Sequence, residues 1–151
     1  MALKHDLLGF MLADVSRLMR RAFNQHLEGS FLTLAQARAL LYVSRHEGIR
    51  QINLAEMLEI LPITLTRLID QLVEDGLVER KPDPNDRRAH QIVTTDLAPP
   101  ILKSIQKAAT SIQADALAGL SAEQTSLLFQ GLQNMHENLS AAEQHKKTIA
   151  K

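Results

Sequence analysis

The stretch that decides the fold is "LPITLTRLIDQLVEDGLVERKPDPNDRRAHQIVTT", residues 61–95. In its first half, apolar residues recur every three or four positions, which predicts an amphipathic helix over 61–76 that ends at Gly76. Its second half predicts two short strands, 77–81 and 89–95. The loop between them, "PDPNDRR", has prolines that restrict the backbone and Asp and Asn side chains that favour turns. A helix is therefore followed at once by a hairpin with arginines at its tip.

Two more helices precede this stretch. The segment 33–46 opens with Thr33 and Gln36, the spacing of a capping box. The segment "QINLAEMLEI", 51–60, predicts a short helix separated by a tight turn from the helix over 61–76. Together these segments predict a winged helix-turn-helix unit over residues 33–95. The residues expected in its core from the last two helices are Ile52, Leu54, Ala55, Leu58, Leu65, Ile69, Leu72 and Val73.

Amphipathic helices flank this unit on both sides. One is predicted over 5–27, a second from Asp96, where Pro99 and Pro100 make an irregular first turn, and a third after the capping box "SAEQ", 121–124. A domain of this size cannot bury all their apolar faces by itself, so we expect residues 1–28 and 96–145 to bury them in a homodimer. The predicted fold class is mainly α with a small β-hairpin wing, in one domain over 1–151. The apolar residues expected inward on the third helix are Leu127, Leu128, Leu132, Met135 and Leu139.

Composition excludes several classes of function. The chain has no cysteine, so disulfides, thiolate nucleophiles and cysteine-ligated zinc are excluded. Its six histidines show no pair at helical metal-ligand spacing, and we expect neither a metal nor a cofactor. A glycine-rich phosphate loop and a nucleophile elbow are both absent, so an enzyme is not expected. No uncharged segment is long enough to span a membrane, so we expect a cytoplasmic protein.

The helix and the hairpin predict binding to two adjacent grooves of double-stranded DNA. A helix fits the major groove, where base edges can be distinguished, and an arginine at a wing tip suits the minor groove. On the wing, we expect Asp86 to brace a guanidinium. The plain alternative is an exposed helix and a solvated loop. The residues expected to contact DNA are Pro62, Thr64, Thr66, Arg67, Gln71, Arg87 and Arg88.

Four segments resemble the MarR family of bacterial transcription regulators, with the SlyA branch nearest: "LTLAQARALL" (32–41), "LAEML" (54–58), "RLIDQLVEDGLVER" (67–80) and "DPNDRRAHQIVTT" (83–95). The resemblance implies a homodimer on a near-palindromic operator, with Arg88 in the minor groove and Thr64 and Arg67 facing bases. It also implies a small aromatic or lipophilic effector. The chain departs from the family pattern after the wing, where it has "TTDLAPP", and it lacks the cysteine of the peroxide-sensing branch. The candidate lining residues for an effector are Met11, Met19, Leu40 and Met57.

Charge leaves a rival interpretation open. The net charge is zero, and residues 62–91 contain five basic and six acidic residues, which is unusual for a nucleic-acid binder. A winged helix that contacts proteins and has no DNA-binding role is therefore the alternative. One observation argues against this alternative: all ten arginines lie between Arg17 and Arg88. The forked guanidinium group of arginine recognises phosphates and guanine better than the ammonium group of lysine does.

Overall fold

The computed structural model describes residues 7–27 and 32–149 and divides into two compact units after Ile112. The predicted dimerisation segment 1–28 is therefore described only from residue 7 to 27. The described part is mainly α with a small antiparallel sheet, which confirms the predicted fold class. In chain order the elements are α1 (Leu8–His26), α2 (Leu34–Arg45), β1 (Ile49–Arg50), α3 (Gln51–Leu58), α4 (Pro62–Glu74), β2 (Val78–Pro82), β3 (His90–Thr94), α5 (Ala98–Ala116) and α6 (Ala122–Ile149).

Both predicted capping boxes are present. The Thr33 hydroxyl accepts the backbone N–H of Gln36 at 3.2 Å, and the Gln36 side chain accepts that of Thr33 at 2.7 Å. Ser121 and Gln124 repeat this pair of bonds before α6, at 3.1 and 2.9 Å. Each box satisfies two backbone N–H groups that have no partner within the helix, and so fixes where the helix begins.

The start of α5 differs from the prediction. The helix begins at Ala98 and not at Asp96, so Pro99 and Pro100 fall in its first turn. Backbone N–H groups in the first turn have no partner within the helix, so two prolines cost it no hydrogen bond there. The Thr95 hydroxyl accepts the backbone N–H of Leu97 at 3.3 Å just before the helix.

The sheet has three strands in the order β1-β3-β2. The two predicted strands are confirmed as β2 and β3, which pair from Val78 with Thr94 to Pro82 with His90. The third strand, β1, was not predicted. It pairs Ile49 with Ile92 and Arg50 with Gln91, so it ties the start of α3 to the hairpin.

The core of the first unit lies between α2, α3, α4 and the sheet. The largest fully buried side chains are Leu40, Val43, Leu54, Leu65, Ile69, Leu72, Leu77, Val78 and Ile92. The prediction that Ile52 and Val73 lie in the core was wrong. Ile52 is 61% exposed and Val73 is 39% exposed. Ile52 lies about 200° around the helix from Leu54, and Val73 lies about 100° from Leu72, so both turn away from the buried stripe of their helix.

The helices at the two ends of the chain keep exposed apolar faces. No residue of α1 is buried, and Leu8, Phe10 and Leu18 are more than half exposed. In the second unit, α6 exposes the residues expected inward, including Leu127 and Leu139, and only Met135 of that set is partly covered. The expectation that these residues point inward is therefore wrong within the single chain.

Candidate nucleic-acid interface

A short turn sets the position of α4. Glu59 ends α3 in the left-handed region, at φ 54°, and the backbone N–H of Ile60 bonds to the carbonyl of Ala55 at 3.1 Å. Leu61 is extended, and Pro62 is the first residue of α4, where its fixed φ suits the helix. The two helices and this turn form the predicted helix-turn-helix.

One face of α4 is available for a ligand. Leu65, Ile69 and Leu72 are fully buried and define the inward side of the helix. At about 100° per residue, Ile63 and Arg67 lie nearly opposite that side, one turn apart. Both are exposed, and so are the predicted contacts Pro62 and Thr64.

Two other residues of α4 that were predicted to contact DNA, Thr66 and Gln71, form hydrogen bonds within the protein. The Thr66 hydroxyl donates to the carbonyl of Pro62 at 3.0 Å and accepts from the Gln51 amide at 3.0 Å. The Gln71 amide oxygen accepts from the Gln36 amide at 2.8 Å, which joins α4 to α2. For Thr66 and Gln71, contact with a base stays a prediction, and these bonds give each of them a structural role as well.

Arg80 links the wing to α4, and this role was not predicted. One of its terminal nitrogens lies 2.7 Å from an Asp70 carboxylate oxygen, and its Nε donates to the Gln51 amide oxygen at 3.0 Å. The same guanidinium donates to the backbone carbonyl of Thr66 at 3.4 Å. The side chain is 25% exposed. The sequence signal that could have revealed this role is the alternation of side chains along a β-strand. Arg80 lies two residues after buried Val78, so both side chains lie on the same face of β2.

A buried carboxylate organises the base of the wing. The Asp83 side chain accepts from Arg50 Nε at 2.7 Å and from the backbone N–H of Asn85 at 2.8 Å. The hydrogen bond from Arg50 is the main reason that the pKa of Asp83 lies below its usual value, and the Asn85 bond adds to the effect. The same pair raises the pKa of Arg50. This pair was not predicted either.

Asp86 braces the wing differently from the prediction. Its side chain accepts the backbone N–H of Arg88 at 3.0 Å, and its carbonyl accepts that of Ala89 at 3.1 Å. Asp86 therefore shapes the loop through backbone groups. Among the described residues, the guanidinium held by a wing carboxylate is that of Arg50, which pairs with Asp83. Arg87 and Arg88 are exposed at the tip.

A cleft of about 460 Å³ lies between the wing loop and the starts of α3 and α4. Its walls include two guanidinium groups and an imidazole, as well as one carboxylate, that of Asp86. The cleft lies beside the first residue of α4 and the wing loop, and its guanidinium groups suit a phosphate-bearing chain. The lining residues are Arg50, Gln51, Ile52, Pro62, Asp86, Arg88, Ala89 and His90.

The four candidate effector-lining residues lie in different surroundings. Leu40 is fully buried in the core, whereas Met11, Met19 and Met57 are each about 40% exposed. None of the four lines the cleft beside the wing or another groove, of about 610 Å³, beside Val73 and Leu97. Their role stays a prediction.

Metal-binding clusters and membrane-spanning helices are both absent over residues 7–27 and 32–149. No group of three or more His, Asp or Glu side chains in these ranges is placed to hold a metal ion. No helix in the same ranges is long and apolar enough to cross a membrane.

Comparison with known proteins agrees with this architecture. The family model "MarR family" matches residues 32–90, from two residues before α2 to the first residue of β3. A crystal structure of MarR is 24% identical, with a TM-score of 0.86 over 95% of this chain and 98% of that one, and this likeness concerns the fold. The transcriptional regulator SlyA is 26% identical, with a TM-score of 0.77 over 87% and 92% of the two chains.

A third structure contains DNA. It is a mutant MarR from E. coli complexed with operator DNA, 25% identical, with a TM-score of 0.76 over 89% of this chain and 99% of that one. The family match falls on the helix-turn-helix and wing, and the structural likeness extends over most of the chain. The chain therefore resembles the MarR family over its helix-turn-helix and wing, and it has the winged helix-turn-helix fold seen in MarR and SlyA.

Proposed function

We propose that this protein is a sequence-specific regulator of transcription that binds a near-palindromic operator in double-stranded DNA as a homodimer. The observation that carries the proposal is the pairing of two exposed arginine-bearing elements in one unit. Arg67 lies on the outward face of α4, and Arg87 and Arg88 lie at the wing tip. The bonds of Arg80 and Asp83 fix the two elements relative to each other.

The proposed grip uses two grooves. With α4 in the major groove, Arg67 has the fork geometry that recognises guanine, and Thr64 offers a hydroxyl and a methyl group. Arg88 at the wing tip suits the minor groove, where the potential is most negative and groove width adds selectivity. The similar mutant MarR that is complexed with operator DNA supports double-stranded DNA as the ligand.

The homodimer is supported by the exposed apolar faces of α1 and α6. Leu8, Phe10 and Leu18 on α1, and Leu127 and Leu139 on α6, are more than 45% exposed. Large apolar side chains exposed in such numbers on two amphipathic helices are expected to be covered by a partner. A twofold axis would present two α4 helices to one face of the duplex, about 34 to 36 Å or a multiple apart, which predicts two symmetric half-sites.

An effector is the regulatory part of the proposal. A small aromatic or lipophilic molecule would act by binding one spacing of the two α4 helices better than another. Met11, Met19, Leu40 and Met57 remain the candidate residues for it. A thermal-shift screen against aromatic acids tests this part, and uniform absence of a shift would refute it without touching the DNA-binding part. Since the proposed ligand is genomic DNA, the proposal keeps the cytoplasmic location.

The decisive experiment is binding to duplex DNA of random sequence, followed by selection of the tightest binders. We expect affinity to fall linearly with the logarithm of salt concentration, because phosphate contacts release counterions. Selection should enrich a twofold-symmetric sequence. If no duplex is bound at low salt, the DNA-binding proposal is wrong, and a winged helix that contacts proteins becomes the better interpretation.

A further inference from the structure

We propose that Ile63 determines part of the sequence specificity by contacting the 5-methyl group of a thymine in each half-site. This inference rests on the proposed function and adds to it the identity of one recognised group. The observation behind it is an exposed, branched apolar side chain on the face of α4 that also carries Arg67.

The position of Ile63 on the helix is the first step. The buried residues Leu65 and Ile69 define the inward side of α4, and Ile63 lies about 160° from Leu65. It is 60% exposed, although it belongs to an apolar residue type that is usually buried. Arg67 follows one turn later, so the two side chains are neighbours on the outward face.

Its surroundings on α4 point to a nucleic-acid partner. Asp70, the next residue along this face, is held by Arg80 at 2.7 Å. The flanking residue Thr66 is bonded to Gln51. Ile63 and Arg67 thus project beside two polar side chains, Thr66 and Asp70, that are bonded to other parts of the protein.

The chemistry of the partner follows from the major groove. Of the groups that the four bases present there, the thymine methyl is the apolar one. A β-branched side chain in a helix has one strongly preferred χ1 rotamer, so Ile63 loses little freedom on contact. Arg67 beside it would read guanine, so α4 would read a thymine close to a guanine in each half-site.

The test uses the full chain and the duplex that it selects from a random library. Each half-site thymine is replaced by deoxyuridine, which removes the methyl group and leaves base pairing intact. We expect replacement of the contacted thymine to weaken binding about fourfold in one half-site and about fifteenfold in both, from the transfer free energy of one methyl-sized group. Deoxyuridine outside the half-sites should have no effect.

A double-mutant cycle assigns the contact to Ile63. Ile63→Ala should weaken binding to the thymine duplex about as much as the deoxyuridine replacement does, and should have little further effect on the deoxyuridine duplex. Leu97→Ala is the matched control, since Leu97 is equally exposed, at 62%, but lies beyond the wing. Because both side chains are largely exposed, both variants should unfold at the parent temperature.

The possible outcomes distinguish the two proposals. If the protein selects a symmetric duplex but binds its thymine and deoxyuridine forms equally, the inference about Ile63 is overturned and the DNA-binding function stands. Equal weakening of both forms by Ile63→Ala would overturn the inference in the same way. If no duplex is bound at low salt, the proposed function has failed first.

Discussion

The Asp83 side chain lies at the base of the wing and accepts hydrogen bonds from Arg50 and from the Asn85 backbone. Both bonds favour the ionised carboxylate, so its pKa in the folded protein lies below the unfolded value of about 3.9. The stabilisation is therefore fully present above about pH 4 and is lost as the pH falls through the folded pKa. The partner Arg50 has a raised pKa, so its contribution is lost only in strong alkali.

Asp83→Asn should therefore lower the free energy of unfolding at pH 7. The gap between parent and variant should narrow steadily below about pH 4, because the parent carboxylate then becomes neutral too. Urea unfolding between pH 7 and pH 2.5 measures the gap. Asp115→Asn, on the exposed side of α5, controls for the loss of one carboxylate. A gap that is constant with pH would show that the Asp83 charge is not what stabilises the wing.

Two arginines should differ in how their loss affects DNA binding. Arg88→Ala should weaken binding to all sequences and reduce the salt slope by about 1, because it removes a contact to the minor groove and backbone. Arg67→Ala should also relax preference at one base pair, at a cost of about 1–3 kcal/mol. Titration of both variants against the selected duplex and its single-base variants measures this. Lys103→Ala on α5 is the control, and parent-like binding by both arginine variants would refute the contact assignments.

At the scale of single residues, the exposure of Thr64 and Arg67 was predictable from the sequence, that of Ile52 and Val73 was predicted wrongly, and pairing was not predictable. The helical period placed Thr64 and Arg67 outward because it depends on neighbours three and four residues apart. Asp83 meets Arg50 across 33 positions of sequence, and Arg80 meets Gln51 across 29. A periodic pattern of residue types carries no information about which residues pair over such distances in sequence. The prediction for Asp86 chose a nearby arginine, whereas the described bonds of Asp86 reach the loop backbone.

Among the elements, α3, α4 and β2 meet at Arg80. The Asp70 side chain is 58% exposed, so the ion pair itself should contribute at most about 1 kcal/mol to stability. Its larger effect should be on geometry, because Arg80 also bonds to Gln51 and to the Thr66 carbonyl. The guanidinium therefore fixes the angle between the wing and α4.

Arg80→Ala should weaken operator binding by several-fold while lowering stability only slightly. Arg80→Lys should fail to restore binding, since one ammonium cannot replace a planar guanidinium that donates to three separate acceptors. A cycle with Asp70→Ala, measured by DNA titration and urea unfolding, should give a coupling energy for binding of about 0.5–3 kcal/mol. If binding falls only in proportion to stability, Arg80 is a structural residue and does not position the interface.

The elements themselves were predictable where local signals were strong. Capping boxes fixed the starts of α2 and α6, and Gly76 marked the end of the segment that forms α4. The strand β1 was missed because two residues between a glycine and a helix cannot show an alternating pattern. Its existence depends on pairing with β3, where the partners Gln91 and Ile92 lie far along the chain from Arg50 and Ile49. The start of α5 was predicted at Asp96 because an acidic residue suits the first turn of a helix. The helix begins at Ala98 instead, and its first turn accepts Pro99 and Pro100.

At the scale of the whole molecule, burial within one chain does not explain every apolar pattern in the sequence. The periodicity of α1 and α6 predicts a covered face, and in the single chain those faces are exposed. The same pattern in α2 and α4 is satisfied within the first unit. The proposed homodimer would cover these faces with a second copy of the chain, and it therefore makes its own prediction.

Paired glutamates on the apolar face of α6, Leu128→Glu with Leu132→Glu, should convert a dimer to monomers, because buried carboxylates without partners are costly. Light scattering should give the mass of one chain instead of two. Operator affinity should fall by about 10²-fold or more, since each half-site is then bound separately. The control, Ser126→Glu with Gln130→Glu, places the same charges on the opposite, exposed face of α6 and should leave both measurements unchanged. A parent protein that scatters as one chain would refute the dimer, and a monomeric variant that binds the operator as tightly as the parent would refute dimeric binding.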